Sequence, residues 1–280
     1  MEQLLDGYDE SSRDGVQLLV RRLLREGVLS EHAGAGPRRL PADLERDHEF
    51  AAVYERCAPV LMGSSAPMAF ALYEAVRHVV ARDIPGAFVE CGVWRGGNPL
   101  LMVLTLQALG VDDRELYLYD AFDATWPDPD PADGTTSGMD HEQLLANNRE
   151  LRRRAEEDDD GVRRECSVEV VRQRLVETGY PSARIHLIQG YVEQTLPARA
   201  PERAALLRLD TDLYRSTKHE LETLYPRLSG GGVLIVDDYP THTGATQAVD
   251  EYFQASGRRI FLSRIDTQGR IGVKEAAMAP

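Results

Sequence analysis

The chain has 280 residues, 42% of them hydrophobic and 28% charged, with a formal net charge of −14. That length accommodates one large α/β domain with an extension or two small domains, and the composition allows one sizeable core. The acidity argues against a nucleic-acid or anionic-membrane binder, since neither surface would attract it; it suits solubility first and cation binding second.

Three cysteines, Cys57, Cys91 and Cys166, are widely spaced and offer neither a disulfide framework nor a zinc cluster. The N-terminus, MEQLLDGYDE, lacks the basic and apolar segments of a signal peptide. The apolar stretch Leu100 to Leu109 is too short to span a bilayer. A cytoplasmic location is the expectation.

In chain order, Val16 to Arg25 and Leu44 to Tyr54 carry helical periodicity around a turn-rich stretch, so residues 1–60 are expected to form a helical N-terminal extension. A different rhythm starts near Pro67, with an apolar-periodic helix over Met68 to Val80. Short apolar runs then alternate with helical stretches: Ala87 to Val89, Leu116 to Tyr119, Ile185 to Ile188, Ala204 to Leu209 and Val233 to Val236. Runs without strict polar alternation are what strands buried on both faces look like, and their alternation with helices predicts a parallel, doubly wound sheet. Arg259 to Arg264 and Arg270 to Lys274 flank Asp266 to Gly269 and read as a closing antiparallel hairpin. The predicted fold is therefore α/β and Rossmann-like, a mostly parallel seven-stranded sheet ending in that hairpin, over residues 61–280. Such an ending separates methyltransferases from the all-parallel dehydrogenase sheet. Residues 121–166 show no strand signal and many Pro and Asp residues, which predicts a partly mobile lid.

The segment Phe88 to Asn98 runs from a strand through Gly92, Gly96 and Gly97 into a helix predicted over Pro99 to Ala108. Gly92 allows a sharp turn and close approach of a ligand, and the amides of Val93 through Asn98 lead into a helix N-terminus. Glu90, ending the strand, would repel a phosphate and attract an ammonium group. S-adenosylmethionine carries that ammonium together with a carboxylate suited to the amides. Asp120, about thirty residues after Glu90, ends the next strand, where it can hold ribose hydroxyls or simply cap a turn. Phe122 follows it, and Tyr191 and Val192 occupy the loop after the third strand, where an adenine would rest.

Asp210 ends the fourth strand; Asp237 and Asp238 end the fifth. Each alone reads as a strand-end cap. Neighbouring strands lie about 4.8 Å apart, so the three together would converge and repel unless protonated or matched by a cation. Oxygen-only ligation suits Mg²⁺, Mn²⁺ or Ca²⁺ over zinc. Asp212 is expected instead to cap the helix through Tyr214 and Lys218. Within the lid, His141 is a candidate acid/base or acceptor-orienting group, or a solvated helix-start histidine; His242 is a candidate acceptor contact, and Trp126 either lines a lid pocket or anchors the loop.

Several segments together resemble the macrocin O-methyltransferase (TylF/MycF-like) family: Pro85 to Gly97, Gly190 to Pro197, Leu209 to Thr217, Tyr225 to Tyr239, Ala248 to Phe253 and Arg264 to Lys274. The resemblance covers roughly residues 60–275. It implies S-adenosylmethionine as methyl donor, an essential Mg²⁺ (or Mn²⁺) held by Asp210, Asp237 and Asp238, and Asp210 doubling as general base. It also implies a sugar hydroxyl of a glycosylated natural product as acceptor, in antibiotic biosynthesis; a homo-oligomer is expected. Alternatives are a metal-dependent phenol or catechol methyltransferase, a cofactor-binding protein without catalysis, or a dehydrogenase, the last disfavoured by Glu90 and the hairpin. The chain departs from the family pattern at Ser64-Ser65, Ala121 to Trp126 and Pro240 to Thr243, all bordering the expected acceptor pocket.

Overall fold

The computed structural model describes residues 40–61, 63–157, 161–257 and 260–276. The expected helix at Val16 to Arg25 lies outside them. A compact unit begins at Ala42, earlier than the boundary expected at residue 61. The reason is packing: Phe50, Tyr54 and Cys57 are buried, and Phe50 meets Phe70 and Tyr73 with ring centroids 5.0 and 5.3 Å apart. The helix expected over Leu44 to Tyr54 is two, α1 (Ala42–Glu45) and α2 (His48–Cys57). Asp47 separates them, because its carboxylate accepts the Phe50 N–H at 3.0 Å and caps α2.

Helix α3 (Ala66–Ala81) starts on Ser65, whose hydroxyl accepts the Met68 N–H, and buries Met68, Leu72, Tyr73, Val76 and Val79 along one face. It packs against α4 (Gly97–Ala108), which is apolar nearly all round and buried accordingly. Five strands run parallel: β1 (Ala87–Cys91), β2 (Leu116–Asp120), β3 (Ile185–Gln189), β4 (Ala204–Leu209) and β5 (Leu228–Val236). Two more, β6 (Ser263–Arg264) and β7 (Arg270–Val273), close the sheet as an antiparallel hairpin on β5. The order is β3-β2-β1-β4-β5-β7-β6. Burial of Val, Leu and Ile along β1, β4 and β5 stabilises the sheet by about 1.5–3 kcal/mol per side chain.

β5 begins five residues earlier than Val233, and Gly231 within it donates to the Lys274 carbonyl, so a glycine run that looks like a turn is strand. Strand order reverses between β1 and β4, and the ends of β1 and β4 therefore border the crevice that doubly wound sheets use for ligands. Among its described residues the 121–166 segment contains no strand, as expected, and its second half carries helices: α5 (His141–Glu157) and α6 (Val162–Cys166) follow a loop. Helix α7 (Val168–Val176) leads to β3, and α8 (Val192–Thr195) follows it. Helices α9 (Tyr214–Leu224) and α10 (Thr243–Ser256) follow β4 and β5 and pack on each other. Among the described residues no helix is long and apolar enough to cross a membrane.

Candidate active site

The C-terminal ends of β1 to β5 open on a cavity of about 360 Å³. Gly92, Asp120, Tyr191 and Val192 line one wall; Asp210, Asp212, Asp237 and Asp238 line the other. Gly92 is indispensable where the walls meet. Its φ is +86°, and a Cβ there would lie 1.8 Å from the Asp210 carbonyl oxygen. Asp120 organises the turn: Oδ2 accepts the Val93 and Trp94 N–H groups at 2.7 and 2.8 Å, and Oδ1 accepts the Phe122 N–H at 2.7 Å. Burial raises this carboxyl above its ordinary value, while the three N–H donors pull the other way. Tyr191 meets Thr125 hydroxyl to hydroxyl at 3.3 Å.

Four expected cofactor residues are absent from the cavity lining: Glu90, Val93, Asn98 and Phe122. Val93 and Phe122 are buried and present their N–H groups to Asp120. Glu90, expected to face an ammonium group, is fully buried behind the turn, where its Oε1 accepts from Arg208 Nη1 at 2.7 Å. Burial pushes the Glu90 carboxyl up to about 8 against the pull of Arg208. Asn98, with its amide oxygen turned toward the guanidinium, accepts from Arg208 Nη1 and Nη2 at 3.2 and 3.1 Å.

Arg208 was not singled out from the sequence, yet it is the centre of the site. It sits on β4 opposite Glu90, 1% exposed, and its Nη1 also donates to Asp210 Oδ2 at 2.6 Å. Its Nη2 lies 2.9 Å from Asp237 Oδ1, off the hydrogen-bonding direction. An arginine within an otherwise apolar β4 run was the available signal, because a charge buried in a sheet interior must be paired.

The three expected cation ligands do converge: one carboxylate oxygen from each of Asp210, Asp237 and Asp238 lies within 4.8 Å of the others. Burial first, then the neighbouring carboxylates, hold Asp237 and Asp238 well above the usual carboxylate range, although Arg208 opposes the shift at Asp237. Asp238 Oδ1 meets His242 Nδ1 at 2.9 Å.

Asp212 is not a helix cap. Asp133, reaching in from the 121–140 loop, supplies the cap instead, its Oδ1 accepting the Tyr214 N–H at 2.7 Å. Asp212, at φ +68°, lines the cavity and accepts the Trp126 indole N–H at 3.1 Å. Trp126 in turn stacks obliquely on Trp94, centroids 5.0 Å apart. Trp94, Phe122, Ala124 and Asp212 all hold positive φ without being glycine, the kind of local strain that gathers at ligand sites. His141 does not join them. It opens α5 with Nδ1 2.8 Å from the Asp130 carbonyl oxygen and does not line the cavity.

The 121–140 loop is stitched across the carboxylates. Besides Trp126 and Asp133, Thr136 donates to the Thr241 carbonyl, Thr243 to the Gly134 carbonyl, and Thr135 bridges His242. Gly244 makes room for this, since a Cβ there would lie 1.7 Å from Asp133 Oδ1.

Comparison with known proteins bears on this geometry. Residues 56–271 match the macrocin O-methyltransferase (TylF) family model. The chain is 35% identical over 209 residues to the 8-demethyl-8-(2,3-dimethoxy-alpha-L-rhamnosyl)-tetracenomycin-C 4'-O-methyltransferase of Streptomyces olivaceus, covering 74% of this chain and 73% of that one. It is 31% identical over 198 residues to the mycinamicin III 3''-O-methyltransferase of Micromonospora griseorubida, covering 71% and 72%. Among solved structures, the O-methyltransferase NovP superposes with a TM-score of 0.62 at 30% identity, over 75% of this chain and 80% of that one. From its turn at Gly92 to the acids ending β4 and β5, the site lies within the matched residues, and the chain belongs to the macrocin O-methyltransferase family.

Proposed function

We propose that this chain transfers a methyl group from S-adenosylmethionine to a hydroxyl on the sugar of a small glycosylated molecule, at a divalent cation held by Asp210, Asp237 and Asp238. The observation that carries this reading is the meeting of two unlike walls on one cavity, a glycine turn beside Asp120 and an excess of carboxylates. The sugar comes from the relative whose name specifies a rhamnosyl tetracenomycin.

A cation fits the residues present. Asp237 Oδ1 and Asp238 Oδ2 are buried without a hydrogen-bond partner among the described residues. Of the four aspartates lining the cavity, Arg208 pairs with Asp210 and Asp237, so Asp238 and Asp212 add acidic groups that it does not meet. An all-oxygen set of this kind suits Mg²⁺ or Mn²⁺. When bound, the cation supplies Lewis acidity to the acceptor hydroxyl, and the cofactor supplies the methyl group on its sulfonium.

The protein's own groups do the rest. Asp120 lines the cavity, and its Oδ1, which accepts one N–H, retains accepting capacity for a ribose hydroxyl. Tyr191 and Val192 give the adenine an apolar rest. Asp210 and Asp212 both face the cavity and can take the acceptor proton. A proton on Asp210 would weaken its 2.6 Å ion pair with Arg208, whereas Asp212, which accepts the Trp126 indole N–H, has no ion pair to lose among the described residues. This favours Asp212 as the base and leaves Asp210 as a ligand. The loop over residues 121–140 serves as the lid that excludes water from the reacting atoms.

A panel of glycosides and phenols, incubated with methyl-labelled S-adenosylmethionine, tests the reading. A glycoside should become labelled, the label should vanish in chelator, and Mg²⁺ or Mn²⁺ should restore it. Labelling confined to phenols would overturn the acceptor class; full labelling in excess chelator would overturn the cation.

A further inference from the structure

Four of the residues expected from the sequence to serve two different ligands meet on one side chain. Glu90 and Asn98 flank the cofactor turn, and Asp210 and Asp237 belong to the cation set, yet all four face the Arg208 guanidinium at 2.6 to 3.2 Å. The geometry uses what distinguishes arginine from lysine. One nitrogen, Nη1, donates to carboxylates on both sides, to Glu90 at 2.7 Å and to Asp210 at 2.6 Å. Nη2 simultaneously faces Asp237, at 2.9 Å. A rigid planar fork can do this, and a lysine ammonium on a flexible stem cannot hold all of them in fixed relation.

Burying a guanidinium costs several kcal/mol unless every donor is matched. Glu90 and Arg208 are register partners on β1 and β4, so the bridge spans the two strands at the topological switch. Gly92, two residues beyond Glu90, packs on the Asp210 backbone from the other side. A ligand that fixes the turn therefore also fixes Arg208, and through it the orientations of Asp210 and Asp237.

We propose that Arg208 is a positioning residue that makes the cofactor turn and the cation carboxylates one unit, so that occupancy of either strengthens binding at the other. This rests on the reading of the two ligands given above. Reciprocal coupling of this kind has a defined measure, the factor by which one ligand changes the other's affinity.

The test needs no acceptor. Mn²⁺ affinity of the full chain is measured by electron paramagnetic resonance and calorimetry, with and without saturating S-adenosylhomocysteine, in wild type and Arg208→Lys. Thermal midpoints are recorded alongside. Wild type should bind Mn²⁺ at least about 5-fold more tightly with the nucleoside present, a typical coupling magnitude. Arg208→Lys, which keeps the charge and loses the fork, should reduce that factor to under about 2-fold. Should Arg208→Lys fail to fold, Glu90→Leu removes the acceptor on the cofactor side alone and should lower the factor in the same direction. Unchanged or weakened Mn²⁺ binding in wild type, or full coupling retained in the folded variant, would overturn the proposal while leaving the two-ligand reading intact. Absence of binding by both probes would overturn the reading and the proposal together.

Discussion

The cavity wall at the ends of β1, β2 and β3 is organised by backbone, whereas the wall at the ends of β4 and β5 is organised by charge. On the first wall a glycine at φ +86° and three N–H groups gathered by Asp120 shape the turn. On the second, carboxylates crowd round a single buried arginine, and two of their oxygens stay without hydrogen-bond partners among the described residues. A backbone wall is complete as folded and recognises shape. A charged wall is incomplete as folded and asks for a counter-ion. Under the function proposed above, the donor belongs to one side and the cation to the other, and substitutions on each wall should fail in different ways.

The largest effect is expected on the charged wall. Asp210→Asn should cut turnover on the glycoside found by labelling by roughly 100- to 10,000-fold, the range for loss of an acid–base or ligand carboxylate. Binding of S-adenosylhomocysteine by calorimetry should stay within a few-fold of wild type. Normal turnover would remove Asp210 from the chemistry. The matching change on the backbone wall is Gly92→Ala. With the Asp210 carbonyl oxygen 1.8 Å from the new Cβ, it should cost about 3 kcal/mol or more. It should also abolish S-adenosylhomocysteine binding. A thermal midpoint within a degree or two of wild type would show that the turn is less constrained than its packing indicates.

The two walls were not equally legible in the amino-acid sequence. Backbone-driven features are local: the Gly92 turn, the five parallel strands and the closing hairpin are each written in a few adjacent residues, and all are present, although β3, at the sheet edge, is only partly buried. Charge-driven features depend on partners far along the chain. Asp212 stands two residues before Tyr214 and reads as the cap of the following helix, but that role belongs to Asp133, about eighty residues away in sequence. Glu90 reads as a free carboxylate at a strand end, and only the pairing of β1 with β4 brings it to Arg208. His141 shows the converse. Its position in a polar segment suggested chemistry, and its ring is engaged with the nearby Asp130 carbonyl. Residue type and spacing fix which acids end which strands; they do not fix which charges those acids will meet.

Trp126→Phe sharpens the contrast on a smaller scale. The substitution keeps an aromatic ring against Trp94 and removes only the indole N–H that Asp212 accepts at 3.1 Å. A hydrogen bond to a charged group contributes about 1.5–3 kcal/mol, so kcat should fall by roughly 10- to 100-fold if Asp212 is the base. Nucleoside binding, on the other wall, should be unaffected. The chain has two tryptophans, both at this site, so in Trp126→Phe the fluorescence of Trp94 alone reports that binding. A loss confined to nucleoside affinity would instead assign Trp126 to the cofactor side.

The smallest expected effect is a pH slope in stability, and its sign follows from the crowding on the charged wall. Asp237 and Asp238 lie well above the usual carboxylate range in the folded chain, through burial and then through their acidic neighbours. A carboxyl raised in this way binds its proton more tightly when folded than when unfolded. Its stabilising contribution is complete below about pH 4, the unfolded aspartate range, and is lost as pH rises through the folded value. In chelator, the thermal midpoint should therefore fall by a few degrees as pH is raised from about 5 through neutrality, each 1 kcal/mol corresponding to about 2–4 °C in a domain of this size. Mg²⁺ should flatten or reverse the slope, because the cation replaces the proton as counter-charge, and Gly92→Ala should leave the slope in place while lowering the whole curve. A midpoint that rises with pH in chelator would mean that the acids are already matched in the absence of a cation, and the charged wall would then have no need of one.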